Sequence, residues 1–216
     1  MMKIDLHLHT STSSPCSQIE PELLIQRAIQ VGLDGICVTD HEDLEGAEVT
    51  LELGRKYGFP VFRGVEVFSE FGDILVFGLH RRDYRSQTPF EEILGQCRRN
   101  GAVIITAHPC RFAGQYQDLY GSENADYVMT NVDAVETHNG GCTREGNRGA
   151  MELARQFNLP GTGGSDAHHL FQVGRCYTVF RDLIRTEADL LEAIRRGRCR
   201  GQVAPQWQPG VVSTRS

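Results

Sequence analysis

Of the eight histidines in this chain, most stand where a short apolar run ends. His7 and His9 flank Leu8 at the close of residues 4–8, and His41 follows Asp40 just beyond residues 35–39. His80 closes residues 73–79, His108 follows 102–106, and His138 follows 134–137. His168 and His169 come after Gly163-Gly164-Ser165-Asp166. Imidazoles at i and i+2 leave an extended strand on one face, so His7-Leu8-His9 can hold one ion. Asp166-Ala167-His168 repeats that spacing with a carboxylate. Glu66, near the end of residues 61–67, offers two oxygens and is the candidate to bridge two ions. Nitrogen and carboxylate donors together suit zinc, manganese or iron better than calcium or magnesium. Thr39-Asp40-His41 taken alone could equally cap a following helix. His138 and His169 are read as rim or packing residues, and Glu136 as a supporting group.

Donors spread from residue 7 to residue 168 meet only if the intervening elements bring strand ends together. Residues 4–8, 35–39, 61–67, 73–79, 102–106, 134–137 and 159–163 read as strands, and 21–31, 44–57, 90–100 and 144–157 as amphipathic helices. Pro21 opens the first helix, and Gly32, Gly58 and Gly101 stop three of them. Helix stops followed at once by β-branched runs imply βα repeats, whose strand ends share one rim when the strands are parallel. The pair 61–67 and 73–79 leaves no room for a helix. The expectation is an α/β fold, a small or irregular parallel TIM-like barrel of seven strands forming one domain over residues 1–200, with a doubly wound open sheet as the competing architecture. A strand at 176–180 and a helix at 187–196 follow, and residues 201–216, polar and turn-rich, read as an extended C-terminal tail.

The chain has 216 residues, 40% hydrophobic and 23% charged, with formal net charge −6. That balance speaks against a protein coating nucleic acid non-specifically, which needs a basic face. Seven scattered cysteines without a CxxC pair suggest neither a disulfide framework nor a structural zinc knuckle. The opening MMKIDLHLHT lacks the apolar run of a signal peptide, and no stretch approaches about 20 apolar residues. A cytoplasmic location is expected.

Asp5-Leu6-His7-Leu8-His9-Thr10, Thr39-Asp40-His41, Gly64-Val65-Glu66, Ala107-His108-Pro109 and Gly164-Ser165-Asp166-Ala167-His168 resemble, in order, the motifs of the polymerase and histidinol phosphatase (PHP) family of metal-dependent phosphoesterases. The resemblance implies a distorted seven-stranded β/α barrel holding two or three divalent ions. It implies that His7, His9, Glu66 and Asp166 hold the first. Glu66 would bridge to a second, with His108 and His80, and His41 and His168 would hold a third. The chain departs from the pattern where a His or Asp usually follows the H-x-H: it reads Ser13-Ser14-Pro15-Cys16-Ser17. Either Cys16 substitutes, water completes the shell, or the third site is weak or missing.

The chemistry expected is attack of a metal-bridging hydroxide on phosphorus. A third ion, Asp40 or His168 would assist the leaving oxygen, Asp40 ranking first as a group that orients a ligand imidazole. Arg111, Arg144, Arg148 and Arg175 are the candidates to grip substrate phosphate. A small phosphomonoester of the histidinol phosphate, sugar phosphate or nucleotide type is the first substrate reading, and the alternative is a phosphodiesterase or exonuclease acting on nucleotides or short oligonucleotides. A non-catalytic metal-binding domain is the third. Residues 110–126 read as a long loop in which Gln115, Tyr116 and Tyr120 set specificity. Amidohydrolases also use an H-x-H but bridge their ions with a carboxylated lysine, and neither Lys3 nor Lys56 ends a mid-barrel strand.

Overall fold

Short apolar strands between amphipathic helices bury both faces of a sheet by wrapping the helices around it. The computed structural model has that arrangement and describes residues 1–79, 84, 87–111 and 122–207. Its strands are β1 (Met2–Asp5), β2 (Gly35–Val38), β3 (Val61–Ser69), β4 (Gly72–Phe77), β5 (Val103–Thr106), β6 (Ala134–Asn139), β7 (Gly161–Gly164), β8 (Cys176–Phe180) and β9 (Cys199–Val203). They lie in the order β7-β6-β5-β4-β3-β2-β1-β8-β9. The helices are α1 (Pro21–Gln30), α2 (Glu45–Tyr57), α3 (Phe90–Asn100), α4 (Ser122–Met129), α5 (Arg144–Gln156) and α6 (Glu187–Arg195). Among the described residues no helix is long and apolar enough to cross a membrane.

Local chemistry explains the helix ends. Pro21 starts α1, where its missing N–H costs nothing. Gly58 and Gly101 close α2 and α3 in the left-handed conformation that glycine adopts without strain. The Thr143 hydroxyl accepts from Gly146 N at the start of α5, and Thr186 with Asp189 forms a capping box on α6. Strand alternation sorts the core into two layers. Leu75 and Phe77 join Ile4, Leu6, Phe62 and Ile105 inside the barrel, while Ile74 and Val76 face the helices.

Three expectations are corrected. Two residues, Glu70 and Phe71, link β3 to β4, so β4 returns antiparallel, and the sheet is not uniformly parallel. β4 therefore begins beside the end of β3 and runs back to pair Phe77 with Gly64. The boundary at residue 200 falls inside β9, whose five residues pair with β8. Its residues are only partly buried, so no apolar alternation marked the strand. Finally, α4 (Ser122–Met129) begins inside the expected 110–126 loop and runs past its end; Gln115, Tyr116 and Tyr120 lie outside the described residues.

The barrel closes in two ways. Beyond the strand ends, His9 N donates to Ala167 O (3.2 Å) and Asp166 N to His7 O (2.8 Å), joining the continuation of β1 to that of β7. Deeper in, β7 meets β8 through a side chain: the Thr178 hydroxyl accepts from Gly163 N (2.8 Å) and donates to Gly163 O (2.9 Å). Thr178→Val keeps the volume and strands both backbone groups. It is expected to lower stability by about 1–3 kcal/mol, read from urea unfolding midpoints, with bound-metal stoichiometry unchanged.

Candidate metal centre

The closing seam puts Asp166 beside His7 and His9, although 157 or more residues separate them in the chain. Glu66 projects from β3, tied to the neighbouring strand by its N–H to Asp40 O (3.1 Å) and its carbonyl from Glu42 N (2.9 Å). His108 follows β5, and its N–H donates to Glu136 Oε2 (2.9 Å). His108 (φ 30°) and Asp166 (φ 53°) both hold left-handed backbone, unusual for non-glycine residues and concentrated here at the rim.

The donor atoms converge. His7 Nε2 lies 3.1 Å from His9 Nε2, 3.1 Å from Glu66 Oε2 and 3.6 Å from Asp166 Oδ1. His9 Nε2 lies 3.2 Å from the same Glu66 oxygen and 3.4 Å from the same Asp166 oxygen. Four ligands at 2.0–2.1 Å around a tetrahedral ion would stand about 3.4 Å apart. These separations are five of the six edges of such a tetrahedron, so the residues fit a divalent ion. Glu66 Oε1 turns the other way, to His108 Nε2 at 3.1 Å, which makes His7, Glu66 and His108 a second candidate group. His9, His41 and His168 form a third.

Hydrogen bonds behind the donors aim their lone pairs inward. His7 Nδ1 donates to Glu136 Oε1 (3.0 Å), which leaves Nε2 free to ligate. The Ser14 hydroxyl donates to Asp40 Oδ1 (2.7 Å), so it accepts from His9 Nδ1 (3.4 Å) and from His41 N (3.0 Å). Asp40 also takes the Thr10 N–H and hydroxyl, each at 2.6 Å. Asp40 thus has both oxygens engaged in the interior and reaches His9 and the His41 backbone through Ser14, the placement of an orienting group. His168 Nδ1 donates to Asp166 O (3.0 Å). Asp5, fully buried, accepts from the N–H groups of Ser165 (2.8 Å), Gly174 (3.1 Å) and His7 (3.3 Å) and thereby ties β1 to the Asp166 loop. Burial pushes its carboxyl up to about 7 in spite of those bonds. Sequence reasoning had not singled out Ser14 or Asp5 in these roles; only a contact across the barrel reveals them.

Charge balance is unusual for an interior. Burial would lower His7, yet Glu66, Glu136 and Asp166 raise it well above the ordinary imidazole value, and His9 rises to about 9 against the same penalty. Burial would raise Glu66 and Asp166, yet the histidines around them hold both carboxyls well below the usual range. His41 moves the other way, down to about 4: burial dominates, with repulsion from His9 adding to it against the pull of Glu66. The cluster is an anionic cradle that wants positive charge.

The remaining expected residues divide clearly. The Arg111 guanidinium donates to Asp166 Oδ2 and reaches the centre. Arg144 and Arg148 lie exposed at the start of α5, hydrogen-bonded to none of the ligands. Arg175 is packed between Phe171 and Trp207, 5.1 and 5.7 Å from the ring centroids, so its cation is spent on holding the chain near Trp207. Cys16 is exposed and absent from the three described donor groups. His80 lies outside the described residues. The described approach to His108 from β4 is made by Asp73, whose Oδ2 is 3.8 Å from His108 Nε2 because the antiparallel strand starts at the rim. His169 caps the turn Leu170–Gln172 and stacks on Phe171. The His138 Nδ1 bonds the Thr137 hydroxyl (2.9 Å), outside the ligand set.

The sequence matches the PHP domain model over residues 5–136 and a PHP-associated model over residues 144–199. An uncharacterized protein of Methanocaldococcus jannaschii is 30% identical over 189 residues, 84% of this chain and 72% of that one. A probable histidinol-phosphatase of Thermotoga maritima is 25% identical over 207 residues, 80% of this chain and 87% of its own. Among solved structures, a two-domain protein of Bacteroides vulgatus containing a "predicted PHP-like metal-dependent phosphoesterase" superimposes with a TM-score of 0.75 at 19% identity. The match covers 94% of this chain and 64% of that one.

Glu66→Ala removes both bridging oxygens and is expected to strip metal and abolish turnover, while His138→Ala retains both. Glu136→Gln should weaken metal binding roughly 10–100-fold, as loss of a ligand-orienting group does elsewhere. Asp73→Asn is expected to weaken it likewise. Elemental analysis and competition with a chelating dye read all four; an Asp73→Asn protein with wild-type affinity would remove Asp73 from the centre.

Proposed function

The chain belongs to the PHP-domain family and is a metal-dependent hydrolase of phosphoric esters, and from that premise we propose that its substrate is a small phosphomonoester. The observation that carries this reading is the Arg111 guanidinium held against Asp166, beside donors spaced to share ions. A terminal phosphate presents several charged oxygens, and a planar fork of N–H donors next to a cationic cluster is suited to grip them. The likeness to a probable histidinol-phosphatase over most of both chains supports the same substrate class.

His7, His9, Glu66 and Asp166 would hold one ion, and Glu66, His108 and Asp73 a second. His41 and His168 would hold a third. Such ions supply a Lewis acid for phosphate oxygens and bring the pKa of water towards neutrality. The chain's own groups set the geometry. Arg111 exchanges part of its contact with Asp166 for the phosphate and orients it. Glu136 and Ser14 keep the His7 and His9 rings from turning. His168 stands half-buried at the edge with Nδ1 committed to Asp166 O, so its Nε2 serves either a third ion or the proton that the leaving oxygen takes up, and not both in one cycle.

Phosphate release is to be measured with manganese-reconstituted protein against sugar phosphates, histidinol phosphate, nucleoside mono- and bisphosphates, and cyclic and linear diesters. Monoesters are expected to be preferred, and Arg111→Ala to raise KM more than it lowers kcat. A clean preference for diesters would replace this reading with the phosphodiesterase one.

A further inference from the structure

The bulge in β6 turns one side chain away from the metal centre, towards the flank of the barrel. Between Glu136 and His138 the pairing with β7 slips by one residue. Glu136 reaches inward to His7, whereas His138 opens onto a cavity of about 350 Å³ on the flank of the barrel. Bulges of this kind re-aim a side chain. The cavity lies between α5, the residues that follow it, and β9. Met151, Ala154 and Leu159 supply an apolar floor, and Arg155, Asn158 and Arg200 a polar wall.

The cations in that wall are uncommitted. Arg155 and Arg200 are exposed, and neither side chain has a hydrogen-bond or ion-pair partner among the described residues. Their neighbours in sequence behave differently: Arg198 pairs with Asp182 and Glu192, Arg196 with Glu192, and Arg195 with Asp133. Gly201 is tight against this wall, since a Cβ there would come within 2.6 Å of His138 Nδ1 and 2.3 Å of Thr162 O. The closeness of β9 to β6 and β7 therefore brings Arg200 to His138. With Nδ1 held by the Thr137 hydroxyl, the other ring nitrogen of His138 is left to a ligand.

We propose that this cavity binds the phosphoryl group of a small organic phosphate, separately from the metal centre. Arg155 and Arg200 would grip the oxygens from two sides, and the organic part would cover Met151 and Leu159. His138 Nε2, its Nδ1 proton given to the Thr137 hydroxyl, would accept from a protonated phosphoryl oxygen. The occupant would touch the strand that carries Glu136, which orients His7.

Phenylphosphonate, whose P–C bond resists hydrolysis, and inorganic phosphate are the probes, titrated into zinc-loaded full-length protein. The His138 ring and Gly201 amide resonances are followed by NMR, with the His168 ring reporting on the metal centre. Saturable shifts at His138 and Gly201 are expected, with phenylphosphonate the tighter ligand. In Arg155→Ala/Arg200→Ala the affinity read there should fall at least tenfold, while the phosphate response of His168 and the basal turnover stay as in wild type. Absence of saturation at His138, or an unchanged affinity in the double variant, would overturn the proposal. Neither result depends on which ester the metal centre hydrolyses.

Discussion

Two carboxylates, Glu66 and Asp166, are buried within 3.1–3.6 Å of two buried imidazole nitrogens, and the rest of the molecule is arranged around that charge. An uncompensated carboxylate in such a place costs several kcal/mol. Compensation comes from His7 and His9, whose proton affinity is raised by the same carboxylates, and from Arg111. A divalent ion answers the demand better, because one ion neutralises two charges and its ligands need no protons. The left-handed backbone of His108 and Asp166 fits this picture, since each N–H there is anchored, to Glu136 and to His7 O.

Orientation of the donors is as costly to arrange as their proximity. Each ligand histidine that offers Nε2 must have its Nδ1 proton accepted elsewhere, so a buried acceptor has to stand behind it. Glu136 does this for His7, Ser14 backed by Asp40 for His9, and the Asp166 carbonyl for His168. These acceptors sit on different strands and loops, so the rings are aligned only when the barrel is closed. The β1–β7 seam, made by the backbones of His7, His9, Asp166 and Ala167, is therefore part of the site's support, while the Thr178 hydroxyl holds the barrel together away from the ligands.

Much of this was legible in the residues themselves. The H-x-H and D-x-H spacings, Glu66 in its strand and the placement of histidines after apolar runs offered the candidates, the family resemblance implied which eight would be ligands, and the structure brings seven of those together, the eighth, His80, lying outside the described residues. Helices α1, α2 and α3 stand where the proline and glycine signals put them. β9 was hidden because a partly buried edge strand carries no apolar alternation. The packing of Arg175 against Phe171 and Trp207 was not legible because the two rings lie in different segments of the chain.

By itself the sequence determined the inventory: which donors exist, that they cap strands, and that the strands alternate with helices, since these follow from residue type and from periodicities of two and 3.6. Tertiary structure alone decided which donor atoms stand within reach of one another, which nitrogen of each ring turns inward, and that Asp73 at the start of β4 lies beside His108. Those outcomes depend on strand direction, on register and on hydrogen bonds between residues as far apart as His7 and Glu136, and local sequence encodes none of them.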